Sequence, residues 1–254
     1  KKKILPKSSK KKPLISIITV VLNNDKYIQE CFNSIHKQDY ECFEHIVVDG
    51  GSEDETIKII KRNSRKIDYW CSNKDKGIYD AFNKGMKLCK GNYICIVNSD
   101  DILKKRALEI VKKYIDKHPE ADFIFGSVKK HWGILHGYYP NKIKYSWGFY
   151  SSHSTGFYLK NTSAKKIGFY NLNYKYHADY DYFYRMIVKK KMHGVATKKN
   201  EVVGVFRRGG FSSKIPYRKL FFEELKIRYN NGQSLVLLTI IAFFKFFKHF
   251  KKII

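Results

Sequence analysis

The sequence predicts an α/β fold in which helices flank a mainly parallel β-sheet, followed by a C-terminal amphipathic helical tail. Short apolar runs alternate along the chain with segments whose apolar residues recur at helical spacing, which implies right-handed crossovers between parallel strands. Polar residues follow directly after three of the apolar runs. Because ligands bind beyond the carboxyl ends of the strands in such sheets, these polar clusters are the first candidates for a functional site.

The first two strands can be read directly from their composition. Residues 14–22, LISIITVVL, form a continuous β-branched run that predicts a strand buried on both faces. Residues 45–48 predict the second strand, which the DGG sequence at 49–51 follows. Ser52 and Glu55 match a capping box, so the next helix is predicted to begin there. The helix between the two strands is predicted from its apolar residues, Ile28, Cys31, Phe32 and Ile35.

Two further helices and a strand extend the predicted sheet. A helix is predicted to begin near Tyr79, with Phe82 and Met86 on one face. Residues 93–97 predict the next strand, which ends at the NSDD sequence of residues 98–101. The helix after it is predicted from four apolar residues, Ala107, Ile110, Val111 and Tyr114. We therefore expect carboxylates to gather at one edge of the sheet, although the chain is strongly basic elsewhere.

The balance of charge limits the classes of partner. The chain of 254 residues has 50 Lys and Arg against 23 Asp and Glu, a formal net charge of +27, and such a field attracts the phosphates of nucleic acid, anionic lipid or nucleotides. Its five cysteines include no C-x-x-C pair, which argues against a disulfide framework or a zinc site and for a reducing compartment. The initial lysines are not followed by the apolar core of a signal peptide, so export by that route is not expected.

The adjacent carboxylates of the NSDD sequence are the strongest chemical signal. Asp100 and Asp101, directly after a buried strand, suit a hard divalent cation, which prefers oxygen ligands and keeps positions open for substrate phosphates. The plain alternative is that one of them caps the next helix. Asp49 also has two interpretations, as a partner of a nucleotide base or ribose, or as a turn carboxylate. For residues 75–85, DKGIYDAFNKG, the alternative to a ligand-binding loop is a surface helix with an i,i+4 ion pair.

Aromatic residues, histidines and aspartates crowd the region from 133 to 184. Asp179, in the sequence HADYDY, could be a general base that activates a hydroxyl, or the cap of a helix. Asp181 and His153 are predicted to contact an acceptor substrate or a phosphate, the alternative for His153 being a hydrogen-bonded core histidine. Arg207, close to the GGFS sequence, is predicted as a phosphate partner, the alternative being a solvated arginine.

From residue 13 to residue 213 the chain resembles the inverting family-two nucleotide-sugar glycosyltransferases with the GT-A fold. The matching stretches are PLISIITVVLNN, HIVVDGGSEDET, DKGIYDAFNKGM, YICIVNSDD, HSTGFYLKN, HADYDYFYRM and GGFSS. The resemblance is greatest to the bacterial polysaccharide and lipopolysaccharide branch. It implies a Rossmann-like, mainly parallel sheet and transfer of a hexose or N-acetylhexosamine from a nucleotide diphosphate donor, a UDP-sugar, to a glycan or lipid-linked acceptor.

The resemblance also implies roles for residues of the nucleotide-sugar-binding half. Thr19 and Val20 would frame the nucleotide base, and Asp49 would bind the uracil or the ribose. Asp75 would lie near the base and Asn83 near the diphosphate. These five residues form the first part of the expected donor site.

The NSDD sequence aligns with the family's D-x-D motif. Asn98 occupies its first position in place of an aspartate, Ser99 its middle, and Asp100 its metal-binding last position, with Asp101 as a second candidate ligand for Mn²⁺ or Mg²⁺. Asp179 matches the family's catalytic base. The implied reaction is one in-line displacement at the anomeric carbon, which inverts its configuration.

The resemblance and the composition divide the chain into three parts. Residues 1–12 are a basic arm, residues 13–215 a GT-A catalytic domain, and residues 216–254 a helical tail that associates with a membrane. Within the catalytic domain, residues 13–130 would bind the nucleotide sugar and residues 131–215 the acceptor.

The tail predicts a peripheral membrane protein. Residues 235–244 are apolar except for Thr239, and this run is shorter than the roughly 20 residues that span a bilayer. Lysines oppose the phenylalanines, so a basic amphipathic helix lying on an anionic membrane is predicted, with the enzyme on the cytoplasmic face. The alternative is a helix packed on the catalytic domain or on a second subunit.

Two other functions compete with glycosyl transfer. A basic protein that binds nucleic acid or an anionic membrane without catalysis would explain the charge, but not carboxylates at three strand ends, so no nucleic-acid partner is expected. A sugar-phosphate nucleotidyltransferase would normally have a glycine-rich basic loop after its first strand, where this chain has Asn23-Asn24-Asp25.

Overall fold

Two β-sheets form the framework of the computed structural model, which describes residues 3–4, 14–145, 154–207, 209 and 215–253. The strands, in chain order, are β1 (Lys3–Ile4), β2 (Ile15–Val21), β3 (Phe43–Asp49), β4 (Tyr69–Ser72), β5 (Tyr93–Ile96), β6 (Ile102–Leu103), β7 (Phe123–Phe125), β8 (Ser127–Lys130), β9 (Gly133–Leu135), β10 (Phe157–Lys160), β11 (Gly194–Ala196) and β12 (Val202–Val205). Within the described residues, the larger sheet has eight strands in the order β1-β4-β3-β2-β5-β10-β7-β11, and the smaller has four in the order β6-β12-β8-β9.

Helices separate many of these strands. In chain order they are α1 (Asp25–His36), α2 (Thr56–Arg62), α3 (Ile78–Leu88), α4 (Ala107–Lys117), α5 (Lys142–Tyr145), α6 (Asn161–Ile167), α7 (Ala178–Tyr184), α8 (Tyr217–Asn230), α9 (Leu235–Lys248) and α10 (Phe250–Ile253). A 3-10 turn, Ser154–Gly156, precedes β10, and a π-helical turn, Arg185–Lys189, continues α7. The predicted α/β fold with C-terminal helices is confirmed.

Parallel pairing brings the ends of four strands to one edge of the larger sheet. β2 pairs in parallel with β3 and with β5, and β3 pairs in parallel with β4. β10 runs antiparallel between β5 and β7, so the sheet is mostly but not wholly parallel. The predicted polar clusters lie where β2, β3 and β5 end, and they begin at Asn23, Asp49 and Asn98.

Strand β2 is buried on both faces, as its continuous apolar run predicts. All seven of its residues are buried. On one face Ile17 packs in a cluster with Ile35 of α1 and Val111 of α4. On the other face Ile18 packs in a cluster with Phe82 of α3. The predicted strand and the helices that cover it are therefore confirmed.

Helix α2 begins without the predicted capping box. It starts at Thr56, and the side chain of the preceding Glu55 makes no capping hydrogen bond. The Ser52 hydroxyl donates instead to Asp49 Oδ1 at 2.5 Å, and Asp54 Oδ1 accepts the N–H of Thr56 at 3.0 Å. The capping-box prediction is wrong because Ser52 belongs to the turn that follows β3.

The Asn83 amide ties helix α3 to the second half of the chain. Asn83 Nδ2 donates to the Tyr170 carbonyl oxygen at 2.9 Å, and Asn83 Oδ1 accepts the Tyr170 N–H at 2.9 Å. The residue is only 7% exposed. Both ends of the amide therefore hold buried backbone groups, and the predicted contact of Asn83 with a diphosphate stays a prediction.

The C-terminal tail is helical, as predicted. Helix α8 buries Phe221 and Ile227, whereas α9 buries Ile241 and Lys245 and leaves most of its other side chains exposed or partly exposed. Among the helices of the described ranges, none has the length and apolarity needed to cross a bilayer.

Replacing Asn83 by alanine is expected to destabilise the fold. The change leaves the N–H and C=O of Tyr170 without their partners, which costs about 1–3 kcal/mol of the free energy of unfolding. Urea unfolding followed by circular dichroism should show this as a lower midpoint at an unchanged m-value. The matched control is Asn92→Ala, because Asn92 is exposed. An Asn83→Ala protein as stable as that control would contradict the structural role.

Candidate active site

Hydrogen bonds join three strand-end loops into one surface. The Gly50 N–H donates to the Val21 carbonyl oxygen at 2.8 Å, and the Ser99 N–H donates to that of Val20 at 3.3 Å. Asn24 Nδ2 donates to Ser99 Oγ at 2.7 Å. Ser99 is 6% exposed, and its predicted contact with the sugar donor stays a prediction. The clusters predicted from the sequence lie side by side at the carboxyl edge of the larger sheet.

Asp49 shapes the turn after β3. Its Oδ2 accepts the N–H groups of Gly51 at 2.9 Å and Ser52 at 3.0 Å, and also the Ser72 hydroxyl at 2.7 Å. Its Oδ1 accepts the Ser52 hydroxyl. Asp49 is fully buried. Asp49 therefore holds the turn and the end of β4 together, and its predicted contact with uracil or ribose stays a prediction.

Asp75 lies against this turn, in the loop between β4 and α3. A Cβ atom on Gly50 would come within 2.5 Å of Asp75 Oδ2, so the Asp75 carboxylate lies directly against the turn. Asp75 Oδ1 accepts the Gly77 N–H at 2.9 Å. Asp75 is half-buried, which leaves part of the residue accessible beside the Asp49 turn. Its predicted contact with a nucleotide base stays a prediction.

The side chains of Thr19 and Val20 lie in the core. Thr19 is fully buried, and its hydroxyl lies 3.0 Å from His45 Nε2. His45 Nδ1 lies in turn 2.9 Å from His36 Nε2. Val20 is buried in the same cluster as Phe82. Both side chains are buried, and the predicted framing of a nucleotide base by Thr19 and Val20 stays a prediction.

Asp101 is a buried carboxylate that anchors the NSDD loop. Its Oδ2 accepts the Thr155 hydroxyl at 2.8 Å and Asn98 Nδ2 at 3.3 Å, and its Oδ1 accepts the Arg207 N–H at 3.4 Å. Burial, with a contribution from the charge of Asp100, raises its pKa to about 7. Both oxygens are enclosed and accept hydrogen bonds, and the prediction that Asp101 binds a metal stays a prediction.

Asp100 is the accessible carboxylate of the pair. It is half-buried, and in the described part of the chain no other residue donates a hydrogen bond to its carboxylate. Burial raises the pKa of the Asp100 carboxyl above its usual range, while its own backbone N–H and the Arg207 guanidinium act to lower it. Next to it, Asn98 Oδ1 is buried and has no hydrogen-bond partner.

These two oxygen groups fit a hard divalent cation better than any other cofactor. Over the described residues, no cluster of three or more His, Cys, Asp and Glu side chains could hold a metal ion. Mg²⁺ in proteins is nevertheless often bound by one or two side-chain oxygens together with substrate phosphates. Asp100 and the unpartnered Asn98 Oδ1 meet that smaller requirement.

Arg207 lies beside this loop, where the sequence predicts a phosphate partner. Its Nε donates to the Asp100 carbonyl oxygen at 3.1 Å. Its guanidinium stacks on the Tyr27 ring, 4.4 Å from the ring centre, and pairs with Glu30 at 2.5 Å. Tyr27 and Glu30 of α1 are absent from the sequence prediction, since only the fold brings them next to Arg207.

Asp179 lies at the start of α7 and is bound to α3. The Tyr79 hydroxyl lies 3.1 Å from Asp179 Oδ1 and 2.9 Å from the Tyr176 carbonyl oxygen, and the Tyr180 N–H donates to Asp179 Oδ1 at 2.8 Å. Tyr79 is in the first turn of α3, which begins just beyond the carboxyl end of β4. Asp179 therefore lies at the same edge of the sheet as the Asp75 loop. This role of Tyr79 was not predicted from the sequence, although its position two residues after the DKG turn could have indicated it.

Asp181 is a structural residue. It is 3% exposed, pairs with Arg185 Nε at 2.8 Å and accepts Asn231 Nδ2 at 2.9 Å. Its two oxygens bind Arg185 and Asn231, and the predicted contact of Asp181 with an acceptor or a phosphate stays a prediction. His153, the remaining candidate, lies outside the described residues.

The sequence family described as Glycosyl transferase family 2 matches residues 16–183 of the chain. The PGL/p-HBAD biosynthesis glycosyltransferase of Mycobacterium tuberculosis is 30% identical over 244 residues, which cover 90% of this chain and 90% of that protein. The chondroitin synthase of Escherichia coli is 36% identical over 113 residues, which cover 43% of this chain and 16% of that protein.

Solved structures share the fold at low identity. S. aureus TarS 1-349 in complex with UDP-GlcNAc superposes with a TM-score of 0.67 at 18% identity, covering 93% of this chain and 72% of that one. In the longer TarS structure the chain spans 40% of the length. A mannosyltransferase from Pyrobaculum calidifontis, in complex with GDP-Man and Mn²⁺, superposes with a TM-score of 0.65 at 16% identity, covering 98% and 73%. The fold is GT-A, and by its family match and its relatives the chain belongs to glycosyl transferase family 2.

Proposed function

We propose that the chain is an inverting glycosyltransferase that moves a hexose or N-acetylhexosamine from a UDP-sugar to a glycan or lipid-linked acceptor, in the synthesis of cell-surface polysaccharide or lipopolysaccharide. The observation that carries the proposal is a pair of carboxylates at one edge of the sheet. Asp100 follows β5 with an accessible carboxylate, and Asp179 is held by Tyr79 at the start of α3. A donor between them would have its diphosphate at one carboxylate and its sugar near the other.

The donor proposal is supported by the loops at this edge and by similar proteins. Asp75 is half-buried beside the Asp49 turn, and it is the side chain we propose for the nucleotide base or ribose. S. aureus TarS 1-349 is described in complex with UDP-GlcNAc, and the P. calidifontis mannosyltransferase with GDP-Man. A nucleoside diphosphate sugar is the donor class common to both.

Mn²⁺ or Mg²⁺ is the proposed cofactor, held by the Asp100 carboxylate and Asn98 Oδ1. When bound, such an ion neutralises the charge that develops on the leaving diphosphate. The chain's own Arg207 adds positive charge at the same place, since its Nε contacts the Asp100 carbonyl oxygen. The P. calidifontis mannosyltransferase is described with Mn²⁺.

Asp179 is proposed as the general base. It takes the proton of the acceptor hydroxyl while that oxygen attacks the anomeric carbon, and the bond from this carbon to the diphosphate breaks on the opposite face. One displacement inverts the configuration. The Tyr79 hydroxyl and the Tyr180 N–H hold Asp179 Oδ1 and so fix where the carboxylate lies.

Helix α9 is proposed to bind an anionic membrane through its outer face. This outer face carries a stripe of apolar side chains that are 46–71% exposed. They are Leu235, Val236, Ile240, Phe243, Phe244, Phe247 and Phe250, the last being the first residue of α10. At 1.5 Å per residue, α9 is about 21 Å long, so the stripe can lie along a membrane surface.

The opposite side of α9 is polar and is fixed to the protein. Lys245 is buried, and its Nζ lies 2.6 Å from Glu224 Oε1, which Arg228 Nε also approaches at 2.8 Å. Burial lowers the pKa of the Lys245 ammonium to about 7, and the Glu224 carboxylate acts to raise it. This buried ion cluster sets the rotation of α9 about its axis, with the phenylalanines outward.

Charge favours an anionic membrane over an apolar protein partner. Lys248, Lys251 and Lys252 are exposed at the C-terminal end of the stripe, and the whole chain has a formal net charge of +27. Each lysine near an anionic surface adds about 1 kcal/mol of binding. We therefore propose a peripheral position on the cytoplasmic face of the membrane, near a lipid-linked acceptor.

Asp100→Ala is expected to abolish metal-stimulated turnover while leaving the fold intact. The measurement is release of UDP or GDP from UDP-GlcNAc, UDP-glucose and GDP-mannose, with Mn²⁺ and with EDTA. Loss of a metal ligand should lower the best of these rates by at least about 100-fold. Asp116→Ala removes an exposed aspartate of α4 and is the control. Mn²⁺-stimulated release near the wild-type rate would remove Asp100 from the site.

Asp179→Asn is expected to keep donor affinity and lose turnover. The substitution is nearly isosteric but removes the base, whose contribution is about 10²–10⁴-fold. Donor affinity is measured by calorimetric titration of UDP, and turnover by nucleoside diphosphate release. Unaltered turnover, or loss of UDP binding, would count against the assignment.

Phe243→Ser combined with Phe247→Ser is expected to release the protein from anionic membranes. Co-sedimentation with phosphatidylglycerol vesicles measures binding, and 1 M salt should release the wild-type protein only in part because salt does not screen the apolar contact. Trp132→Ser removes an equally exposed ring elsewhere and is the control. The proposal would be overturned if the wild-type protein did not bind the vesicles, or if it dimerised through α9 in sedimentation experiments.

A further inference from the structure

Helix α8 holds the backbone that leads into α7. The two carboxylate oxygens of Glu223 accept three consecutive N–H groups, those of Lys175 at 2.6 Å, Tyr176 at 2.7 Å and His177 at 2.8 Å. Hydrogen bonds to a charged acceptor are shorter and stronger than those between neutral groups. One side chain from the C-terminal tail therefore fixes the segment directly before α7.

This segment determines where Asp179 lies. His177 is the residue that precedes α7, and Asp179 is two positions further on. The Tyr79 hydroxyl contacts the Tyr176 carbonyl oxygen as well as Asp179 Oδ1. The Tyr176 peptide is thus held on both sides, with its N–H bound by Glu223 and its carbonyl oxygen by Tyr79.

We infer that Glu223 is a positioning residue for Asp179. It fixes the backbone of residues 175–177 so that the Asp179 carboxylate stays against Tyr79 at the start of α3. The inference rests on the proposed role of Asp179 as the general base. Without the Glu223 carboxylate, three adjacent N–H groups lose their acceptor, and the start of α7 is free to move away from α3.

The first experiment measures hydrogen exchange of backbone amides and needs no substrate. Hydrogen exchange of the amides of Lys175, Tyr176 and His177 is followed by mass spectrometry in wild type, Glu223→Ala and Glu223→Gln. The amides should exchange faster in Glu223→Ala, and Glu223→Gln should lie between the two because it keeps one acceptor oxygen. Glu109→Ala, which removes an exposed glutamate of α4, is the control. Exchange that is unchanged in Glu223→Ala would overturn the inference.

The second experiment asks whether Glu223 acts through the base. Glu223→Ala should lower the rate of nucleoside diphosphate release about 10- to 100-fold while UDP affinity stays within about twofold. In an Asp179→Asn background the same change should cost less than about threefold, because residues that act as a unit are not additive. Equal losses in both backgrounds would mean that Glu223 only supports the fold.

The outcomes separate this inference from the proposed function. If Asp179→Asn alone retains full turnover, the assignment of the base fails. If Asp179→Asn loses turnover but Glu223→Ala keeps it, the base stands and the positioning role fails. If Glu223→Ala does not fold, Glu223→Gln carries the same comparison, with a smaller loss expected in the wild-type background and none in the Asp179→Asn background.

Discussion

Parallel pairing of β2, β3, β4 and β5 decides where the polar side chains of the site lie. Strands that run in the same direction end at the same edge of the sheet. Parallel pairing alone therefore brings together the residues that follow each of them. The Gly50 N–H on the Val21 carbonyl oxygen and the Asn24 amide on Ser99 then lock the loops together. The site depends on this register, because a strand displaced by one residue would turn each of its side chains to the opposite face of the sheet.

Much of this arrangement could be predicted from the chain, because it follows from local patterns. The strands predicted from apolar runs, the helices predicted from helical spacing and the strand-end polar clusters all occur in the structure in the predicted order. What could not be predicted is which of two neighbouring carboxylates turns inward. Asp101 is buried because Thr155, 54 positions later, donates to it, while Asp100 stays accessible. Asp181 is buried by Arg185 and Asn231 in the same way, two residues from Asp179. Tertiary partners decide which of these carboxylates is buried, and those partners cannot be identified from one sequence alone.

The C-terminal tail shows the same limit. Its alternation of lysines and phenylalanines predicts an amphipathic helix, and α9 is that helix, but the polar side faces the protein through Lys245. The preceding α8 has two adjacent glutamates with different roles. Glu224 receives the tail lysine, and Glu223 receives the backbone before α7. The C-terminal tail, which the sequence predicts as a separate helical segment, therefore supports the candidate active site.

Strand β10 has a consequence for how the enzyme can move. It comes from the second half of the chain, yet it pairs with β5 on one side and β7 on the other, with Tyr158 opposite Cys95 in one ladder and Ile124 in the next. The two halves therefore share a continuous sheet, and rotating one against the other would break backbone hydrogen bonds in its middle. Hinge closure between the halves would therefore have to disrupt both β10 ladders, whereas movement of loops at the carboxyl edge would leave them intact.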